Sequence, residues 1–341
     1  MTQLQNAFTL FLSLLVEAVP FLLIGVAFSS LLLFFVSEQK LVGILPKHPL
    51  LGALAGSLMG IFFPVCECGN VPVARRLIVQ GAPSAVAIGF LLAAPTINPV
   101  VFWATWVAFR DQPEIVFMRV GFTLIIATTI GWVFSRQKDM RPLLQTNVAR
   151  SMMRPPSRSV TNATQGGASL LSSGTYLIQP KGQQPLQLDT AGAAALMANP
   201  LQDKPWTVKL QLMLENMIYE LRELAAVLVM GSAIAATVQV IIPRDIILDL
   251  GQGVVTSIIA MMVLAAVVSI CSTVDSFFAL SFASTFTSGS LLAFLLFGPM
   301  IDLKNIGLMM TVFKGRAVTY MFVLAAQLCF VFALAVNLYV G

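Results

Sequence analysis

The stretch PVCECGNVPVARRLIVQGAPSAVAIGFLLAAPTINP, residues 64–99, decides the fold of this chain. It places cysteines, arginines and two proline-containing breaks, Gly69–Pro72 and Pro95–Pro99, in sequence apolar enough to lie in a bilayer. A broken helix leaves backbone groups unpaired, which is tolerated at membrane depth only against protein or beside a water-filled cavity. In transporters such interrupted helices often form the substrate site. We therefore interpret this stretch as one half of a translocation pathway.

The composition is that of an integral membrane protein. Of the 341 residues, 57% are hydrophobic and 10% are charged, whereas about a quarter of the residues in soluble domains are charged. Apolar runs of about 20 residues, the length that spans a bilayer, predict an all-α protein with about eight transmembrane segments. Two of these segments, 84–109 and 286–301, contain proline and are predicted to be broken crossings or re-entrant hairpins.

The excess positive charge lies in one segment. Residues 136–205 hold eight basic and three acidic side chains, which accounts for the whole net charge of +5 and gives no indication of a nucleic-acid partner. The Pro, Ser, Gly and Gln content of 141–205 is typical of a disordered or loosely ordered linker, and its basic residues predict a cytoplasmic location. The predicted organisation is a transmembrane repeat at 1–140, this linker, and a second repeat at 206–341.

The two hydrophobic parts align with a nearly constant offset. Cys66 and Asn70 each lie 205 residues before their counterparts, Cys271 and Asp275. Transporters are often built from internal repeats that meet at the substrate site. The sequence therefore predicts two pseudo-symmetric halves, which are parallel or inverted depending on whether the proline-broken segments cross the bilayer.

Three cysteines are candidate ligands for a soft solute: Cys66, Cys68 and Cys271. Thiolates prefer soft, polarisable ions such as Cu(I) or trivalent arsenic, and the repeat predicts that Cys271 lies opposite the other two. The alternative is that each cysteine is a small buried apolar residue, which we favour for Cys329. We predict no resident metal or cofactor, because the single histidine, His48, cannot form a metal site by itself.

Polar residues inside the apolar halves form a second group of candidates. An ionisable side chain within a spanning region marks, by default, a substrate or proton pathway. Asp275 and Glu67 are therefore candidate proton-coupling groups, and Asn70 is a candidate substrate-binding residue. Arg75 either attracts an anionic substrate or anchors its helix at the lipid headgroups.

Asn98 and Asp302 occupy equivalent positions, 204 residues apart. Asn is favoured as a helix N-cap and Pro as the first helical residue, so Asn98 is predicted to cap a helix that begins at Pro99 and to present free amides to the cavity. This makes Asn98 a candidate substrate-binding residue too. Asp302 either marks the pathway or forms an ion pair with Lys304 in a solvated loop.

The sequence elements that start at residues 64, 81, 90 and 95 resemble together the signature of the YraQ-like/ArsP-type predicted permeases. These elements are Pro64–Pro72, Gly81, Phe-Leu-Leu at 90–92 and Pro95–Pro99. The resemblance extends over the whole chain as an arrangement of two hydrophobic halves and a variable linker. It implies a multi-pass permease of the bacterial inner membrane. Some members of the family export trivalent organoarsenicals or related metalloids, and many have no assigned substrate.

The leading hypothesis is a secondary transporter, not an enzyme, that exports a small thiol-reactive solute in exchange for protons. The chain has no Gly-x-x-x-x-Gly-Lys-Ser/Thr loop for ATP. One alternative is a permease for an unrelated small solute. Another is a membrane thiol oxidoreductase that uses Cys66 and Cys68, although a Cys-x-Cys pair lacks the usual two-residue spacer of redox motifs. A non-transporting scaffold protein is a third.

Overall fold

The computed structural model describes residues 2–35, 46, 48–62, 67–137, 141–146, 148–149, 176–177, 186–187, 206–241, 253–283 and 285–339. The helices of the first half are α1 (Thr2–Phe35), α2 (Pro49–Met59, with a 3-10 turn at Gly60–Phe62), α3 (Glu67–Val79), α4 (Ser84–Ile97), α5 (Pro99–Ala108) and α6 (Pro113–Ser135). Those of the second half are α7 (Trp206–Ile241), α8 (Val254–Val268), α9 (Asp275–Leu280), α10 (Ser288–Met300), α11 (Leu303–Val312) and α12 (Gly315–Tyr339).

The protein is an all-α membrane protein, as the sequence predicts. We call the described residues before and after the linker the two halves, and their origin as a repeat stays a prediction. The helices follow one another in the same order in each half. α4, α5 and α6 closely match α10, α11 and α12 in length, whereas α9 with 6 residues is shorter than α3 with 13. Within the described residues, five segments are long and apolar enough to cross a membrane: Gln5–Ile24, Ser84–Ala108, Pro113–Ser135, Ser288–Val312 and Gly315–Tyr339. The apolar helices at Pro49–Phe62 and Val254–Val268 are shorter.

The prediction of a helix break at Gly69–Pro72 is wrong. These residues lie inside α3, and Pro72 is an internal residue of that helix. Proline removes one backbone donor and can be accommodated in a membrane helix when neighbouring groups bind the freed carbonyl. The second predicted break is confirmed, because Asn98 has extended backbone angles (φ −67°, ψ 151°) between α4 and α5. Its counterpart Asp302 is extended too (φ −125°, ψ 171°) and separates α10 from α11.

Small residues let three helices of the first half pack with their backbones close together. A Cβ atom added to Gly56 of α2 would overlap the backbone of Val86 in α4. A Cβ added to Gly131 of α6 would lie 2.9 Å from the carbonyl oxygen of Ala85. Interfaces between membrane helices are often formed by such small residues, because lipid gives no hydrophobic drive and association depends on close packing. The three helices thus form a tight unit that holds the broken segment at Asn98.

The two halves contact each other at several places, two of which we call the first and the second crossing. At the first crossing α3 packs against α11, and at the second α9 packs against α5. Each crossing therefore joins a helix of one half, α3 or α9, to the short helix of the other half that is capped by Asp302 or Asn98. Between them α4 packs against α10, and the long helices α1 and α7 pack against each other. α1 also contacts α3 and α7 also contacts α11, so the two long helices lie beside the first crossing.

The first residues of the predicted linker are held against the second half. A backbone bridge joins Leu144 to Phe313, and the Lys314 amide donates to the Leu143 carbonyl at 2.7 Å. The Gln145 side chain donates to the Met310 carbonyl at 2.8 Å. Residues 143–145 are therefore fixed by hydrogen bonds, whereas the sequence predicts a loosely ordered connector from residue 141. Most of the predicted linker lies outside the described residues, and the boundaries at 141 and 205 stay predictions.

Candidate functional site

A buried ion pair ties the two halves together at the second crossing. Arg119 of α6 has only 1% of its surface exposed, and its Nη2 lies 2.7 Å from Oδ2 of Asp275, the first residue of α9. A charged group in a low-dielectric interior is costly unless it is paired and hydrogen-bonded. The pair supplies that compensation across the boundary between the halves.

Two hydroxyl groups, again one from each half, complete this ion pair. Arg119 Nη1 donates to Thr105 Oγ1 and to Ser276 Oγ, both at 2.8 Å. Ser276 Oγ in turn donates to the Asp275 carboxylate at 3.2 Å, and Thr105 Oγ1 donates to the Val101 carbonyl at 2.8 Å. The result is a continuous hydrogen-bond network that runs from α5 and α6 into α9.

The turn that ends α8 positions this network. Ser269, the C-cap of α8, has a left-handed backbone (φ 48°), a conformation that is uncommon for residues other than glycine. Its hydroxyl accepts a 3.1 Å hydrogen bond from the Leu303 amide at the start of α11. One turn later the Asp275 amide donates to the Cys271 carbonyl at 3.0 Å. The strained residue therefore links the break before α9 to the break before α11.

Three charged residues lie at the first crossing. Asp302 caps α11 by accepting a hydrogen bond from the Asn305 amide at 2.5 Å, and its Oδ2 lies 4.0 Å from Nζ of Lys304. Glu67 is the first residue of α3, the helix that packs against α11 at this crossing. All these side chains are at least 97% buried, so the prediction that Asp302 lies in a solvated loop is wrong. The ion pair with Lys304 is present.

The carboxylates of the first crossing are only partly satisfied. Glu67 Oε2 and Asp302 Oδ2 accept no hydrogen bond from the described residues. Most buried polar atoms in proteins have a partner, which is often an ordered water, so each exception needs an explanation. The two oxygen atoms are positioned to accept a proton, a water molecule or a hydrogen-bonding solute.

The cap at Asn98 is confirmed. Its Oδ1 accepts a 2.9 Å hydrogen bond from the Val101 amide, at the start of α5. Asn98 and Asp302 therefore act alike, each on the short helix that follows the break in its own half. The shared capping role agrees with the alignment of the two positions in the sequence.

Asn70 has a structural partner that its sequence position does not reveal. Its Nδ2 donates a 2.6 Å hydrogen bond to the carbonyl of Leu91 in α4. Leu91 lies four residues before Pro95, which has no amide hydrogen to bond that carbonyl. Asn70 thus replaces the helical hydrogen bond that Pro95 removes, and its Oδ1 accepts none from the described residues.

The structure answers only part of the cysteine prediction. Cys66 lies outside the described residues, and only the backbone of Cys68 is described, within α3. Cys271 is a free, buried thiol in the turn before α9, and it accepts a weak 3.7 Å contact from the Thr273 hydroxyl. Among the described residues no group of three or more His, Cys, Asp or Glu side chains is arranged to hold a metal ion.

Sequence reasoning missed Arg119, which makes the most side-chain hydrogen bonds of any candidate residue in the described structure. A signal was available, because Arg119 is a basic residue inside the apolar helix Pro113–Ser135 and an intramembrane charge marks a functional position by default. The repeat did not point to it, because residues 317–339 of α12, the helix that aligns with α6, hold no charged side chain. Arg75, which was predicted as a substrate-binding residue, is buried in α3 with 8% of its surface exposed.

Comparison with known proteins identifies the family. The family model described as "Predicted permease", ArsP_1, matches residues 3–338. The chain belongs to this family. It is 36% identical over 310 residues to the UPF0718 protein YcgR of Bacillus subtilis (strain 168), which covers 91% of this chain and 90% of the relative.

A second relative comes from Streptococcus mutans serotype c (strain ATCC 700610 / UA159). It is named "Putative two-component membrane permease complex subunit" and is 29% identical over 307 residues, 90% of this chain and 87% of the relative. No solved structure matches the chain significantly. The family and the apolar helices together make this protein a multi-pass membrane protein of a permease family.

Proposed function

We propose that this permease is a secondary transporter that moves a small solute along the boundary between its two halves. The observation that carries the proposal is the buried Arg119–Asp275 pair, which joins residues from the two halves 2.7 Å apart. Buried ionisable groups are retained in membrane interiors mainly where they serve a substrate or ion pathway. A two-half protein that rocks about this boundary opens it alternately to each side of the membrane, here the bacterial inner membrane.

The proposed solute is soft and thiol-reactive, such as a trivalent organoarsenical or a related metalloid, and the proposed direction is export. Cys271 supports this, because its buried thiol lies one turn before Asp275. Cys66 and Cys68 precede Asn70 in the equivalent region of the first half, and we propose that they bind the same solute. Thiolates suit such soft centres better than oxygen ligands do.

We propose proton coupling through Glu67, with Asp275 as the second candidate. Glu67 Oε2 has no hydrogen-bond partner among the described residues, so it can take up a proton without breaking a contact. Asp275 must first release Arg119, to which it is bound. Protonation of Glu67 would also change its attraction to Lys304 at the first crossing, which links proton binding to the contact between the halves.

Uptake into everted membrane vesicles tests this function. Vesicles with the wild-type chain are expected to accumulate methylarsenite, arsenite or antimonite when a proton gradient is imposed. Cys271→Ser and Glu67→Gln are expected to lower the rate at least about tenfold, which corresponds to about 1.4 kcal/mol. Cys329→Ser is the matched control, because that buried thiol lies on α12. Equal rates in wild-type and empty vesicles for all three solutes would contradict the proposed substrate class.

We also propose that the chain works with a second membrane subunit, since one relative is named as part of a two-component permease complex. The purified chain alone, reconstituted into liposomes, is then expected to transport more slowly than native vesicles with the same amount of the chain. Equal rates per molecule would contradict the need for a partner.

A further inference from the structure

The guanidinium of Arg119 has one donor left over. Nη1 donates to Thr105 and Ser276, and Nη2 donates to Oδ2 of Asp275 and, at 3.5 Å, to the Ser272 carbonyl. The fifth donor of a guanidinium is its Nε–H, and in Arg119 this atom is buried without a partner among the described residues.

Two hydroxyl groups next to this network are unpartnered as well. Thr123 follows Arg119 by one helical turn on α6, so the two side chains share a face of that helix. Ser272 lies in the turn before α9, and its own carbonyl already contacts Arg119. Both residues are fully buried, and neither hydroxyl oxygen has a hydrogen-bond partner within the described part of the chain.

Three unpartnered polar atoms around one buried residue are too many to leave unexplained. Each unsatisfied buried polar group costs about 1–3 kcal/mol. Three of them, on Arg119 itself, one helical turn further along α6 and on the residue whose carbonyl contacts Arg119, indicate a missing hydrogen-bonding occupant. Arg119 Nε can only donate, while each hydroxyl can donate and accept. The occupant therefore needs at least one acceptor, for Arg119, and a second polar group for the hydroxyls.

The charge of the occupant follows from Asp275. That carboxylate already neutralises Arg119 at 2.7 Å, so an anion placed at Nε would be a second negative charge beside one cation in a low-dielectric interior. Burying such an uncompensated charge is unfavourable. A neutral molecule meets no such penalty and can use the same three atoms.

We infer that Arg119 Nε, Thr123 and Ser272 form a binding subsite for a small uncharged solute that both donates and accepts hydrogen bonds. The inference rests on the proposed transport function and names the polar end of the solute: Cys271, the neighbour of Ser272, would bind its soft atom, and the subsite would bind its hydroxyl or amide groups. Asp275 then holds Arg119 in place, and its negative charge makes the subsite prefer a neutral solute over an anion.

Binding to the purified full-length chain in detergent tests the subsite without any thiol chemistry. The probes are methanesulfonamide, which is neutral, and methanesulfonate, which has nearly the same shape and is an anion. Binding is measured by calorimetry and by the shift in thermal unfolding. We expect methanesulfonamide to bind at least about tenfold more tightly than methanesulfonate, about 1.4 kcal/mol.

Isosteric variants localise the binding. Thr123→Val and Ser272→Ala remove one hydroxyl each and leave the Arg119–Asp275 pair intact, so each is expected to weaken methanesulfonamide binding about tenfold without lowering the unfolding temperature. Thr129→Val is the matched control on the same helix, because the Thr129 hydroxyl is already bonded to the Ile125 carbonyl at 2.7 Å. It is expected to bind as the wild type does.

Three results would overturn the inference: no binding of methanesulfonamide, tighter binding of methanesulfonate, or unchanged binding in both Thr123→Val and Ser272→Ala. The first result would mean that only water binds these three polar atoms.

The subsite and the transport function can fail separately. If vesicles move methylarsenite in a Cys271-dependent way but methanesulfonamide does not bind, the subsite is wrong and the transport function stands. If binding depends on Thr123 and Ser272 but no vesicle transport is seen, the subsite stands and the proposed substrate class is wrong.

Discussion

The two crossings join equivalent parts of the predicted repeat, yet their charges are satisfied differently. At the second crossing Arg119 and Asp275 are joined directly at 2.7 Å. At the first crossing Lys304 lies 4.0 Å from Asp302, and oxygen atoms of Glu67 and Asp302 accept no hydrogen bond from the described residues. The repeat thus duplicates the backbone breaks but not the side-chain chemistry. The second crossing holds an ion pair that joins the two halves. The first crossing has carboxylate oxygens that can still accept a proton or a hydrogen bond.

The two crossings also differ in how far the rest of the chain covers them. On α11 a Cβ added to Gly307 would lie 3.3 Å from the Val227 side chain of α7, so that helix is covered at this point. The equivalent residue of α5 is Trp103, which is 66% exposed. The first crossing is therefore enclosed by the chain itself, whereas the outer face of the second crossing is left to lipid or to another membrane protein.

The largest expected effect comes from opening the second crossing. Arg119→Ala leaves the Asp275 charge buried and unpaired, which is expected to lower the free energy of unfolding by about 3–5 kcal/mol, measured by denaturant titration in detergent. Arg110→Ala removes an exposed arginine and serves as the control.

Removing both charges together tests the ion pair directly. The double variant Arg119→Met and Asp275→Asn leaves no charge at either position, and at residue 275 it places the amide that the aligned position of the first half has as Asn70. It is expected to recover most of the stability that either single change removes. Additive losses would show that the ion pair is not what couples the two residues.

The next effect concerns the carbonyl freed by Pro95. Asn70→Leu leaves the Leu91 carbonyl unsatisfied and is expected to cost about 1–3 kcal/mol. In a Pro95→Ala background residue 95 regains an amide for that carbonyl, so the same change is expected to cost clearly less. An equal cost in both backgrounds, measured by unfolding in detergent, would disprove this role of Asn70.

Substitutions of the two helix caps, Asn98 and Asp302, are expected to have smaller effects on the free energy of unfolding. Asn98→Ala is expected to cost about 0.5–2 kcal/mol through loss of the cap on α5. Asp302→Ala is expected to cost more, because it also removes the carboxylate beside Lys304. Asp302→Asn keeps the capping oxygen and should be milder than Asp302→Ala. If both Asp302 variants unfold at the same denaturant concentration, the charge matters more than the cap.

The smallest effect is expected on the outer face of the second crossing. Trp103→Ala truncates an exposed side chain, so the free energy of unfolding of the isolated chain is expected to change by less than about 0.5 kcal/mol. Phe90→Ala, which truncates a fully buried ring, is expected to cost about 3–5 kcal/mol in the same assay. A loss above about 1 kcal/mol for Trp103→Ala would mean that this face is packed within the chain.

The sequence by itself determined the all-α membrane class, the break at Asn98 and its cap, because these follow from local properties: apolar length, missing proline amides and short-range capping. It also found Glu67 and Asp275 as buried charges. Only the tertiary structure decided the partner of Asp275, since Arg119 and Asp275 are 156 residues apart and the aligned helix α12 holds no charged side chain at residues 317–339 that would point to Arg119. It likewise decided that Gly69–Pro72 stays helical, because that depends on what packs around α3 rather than on the residues themselves.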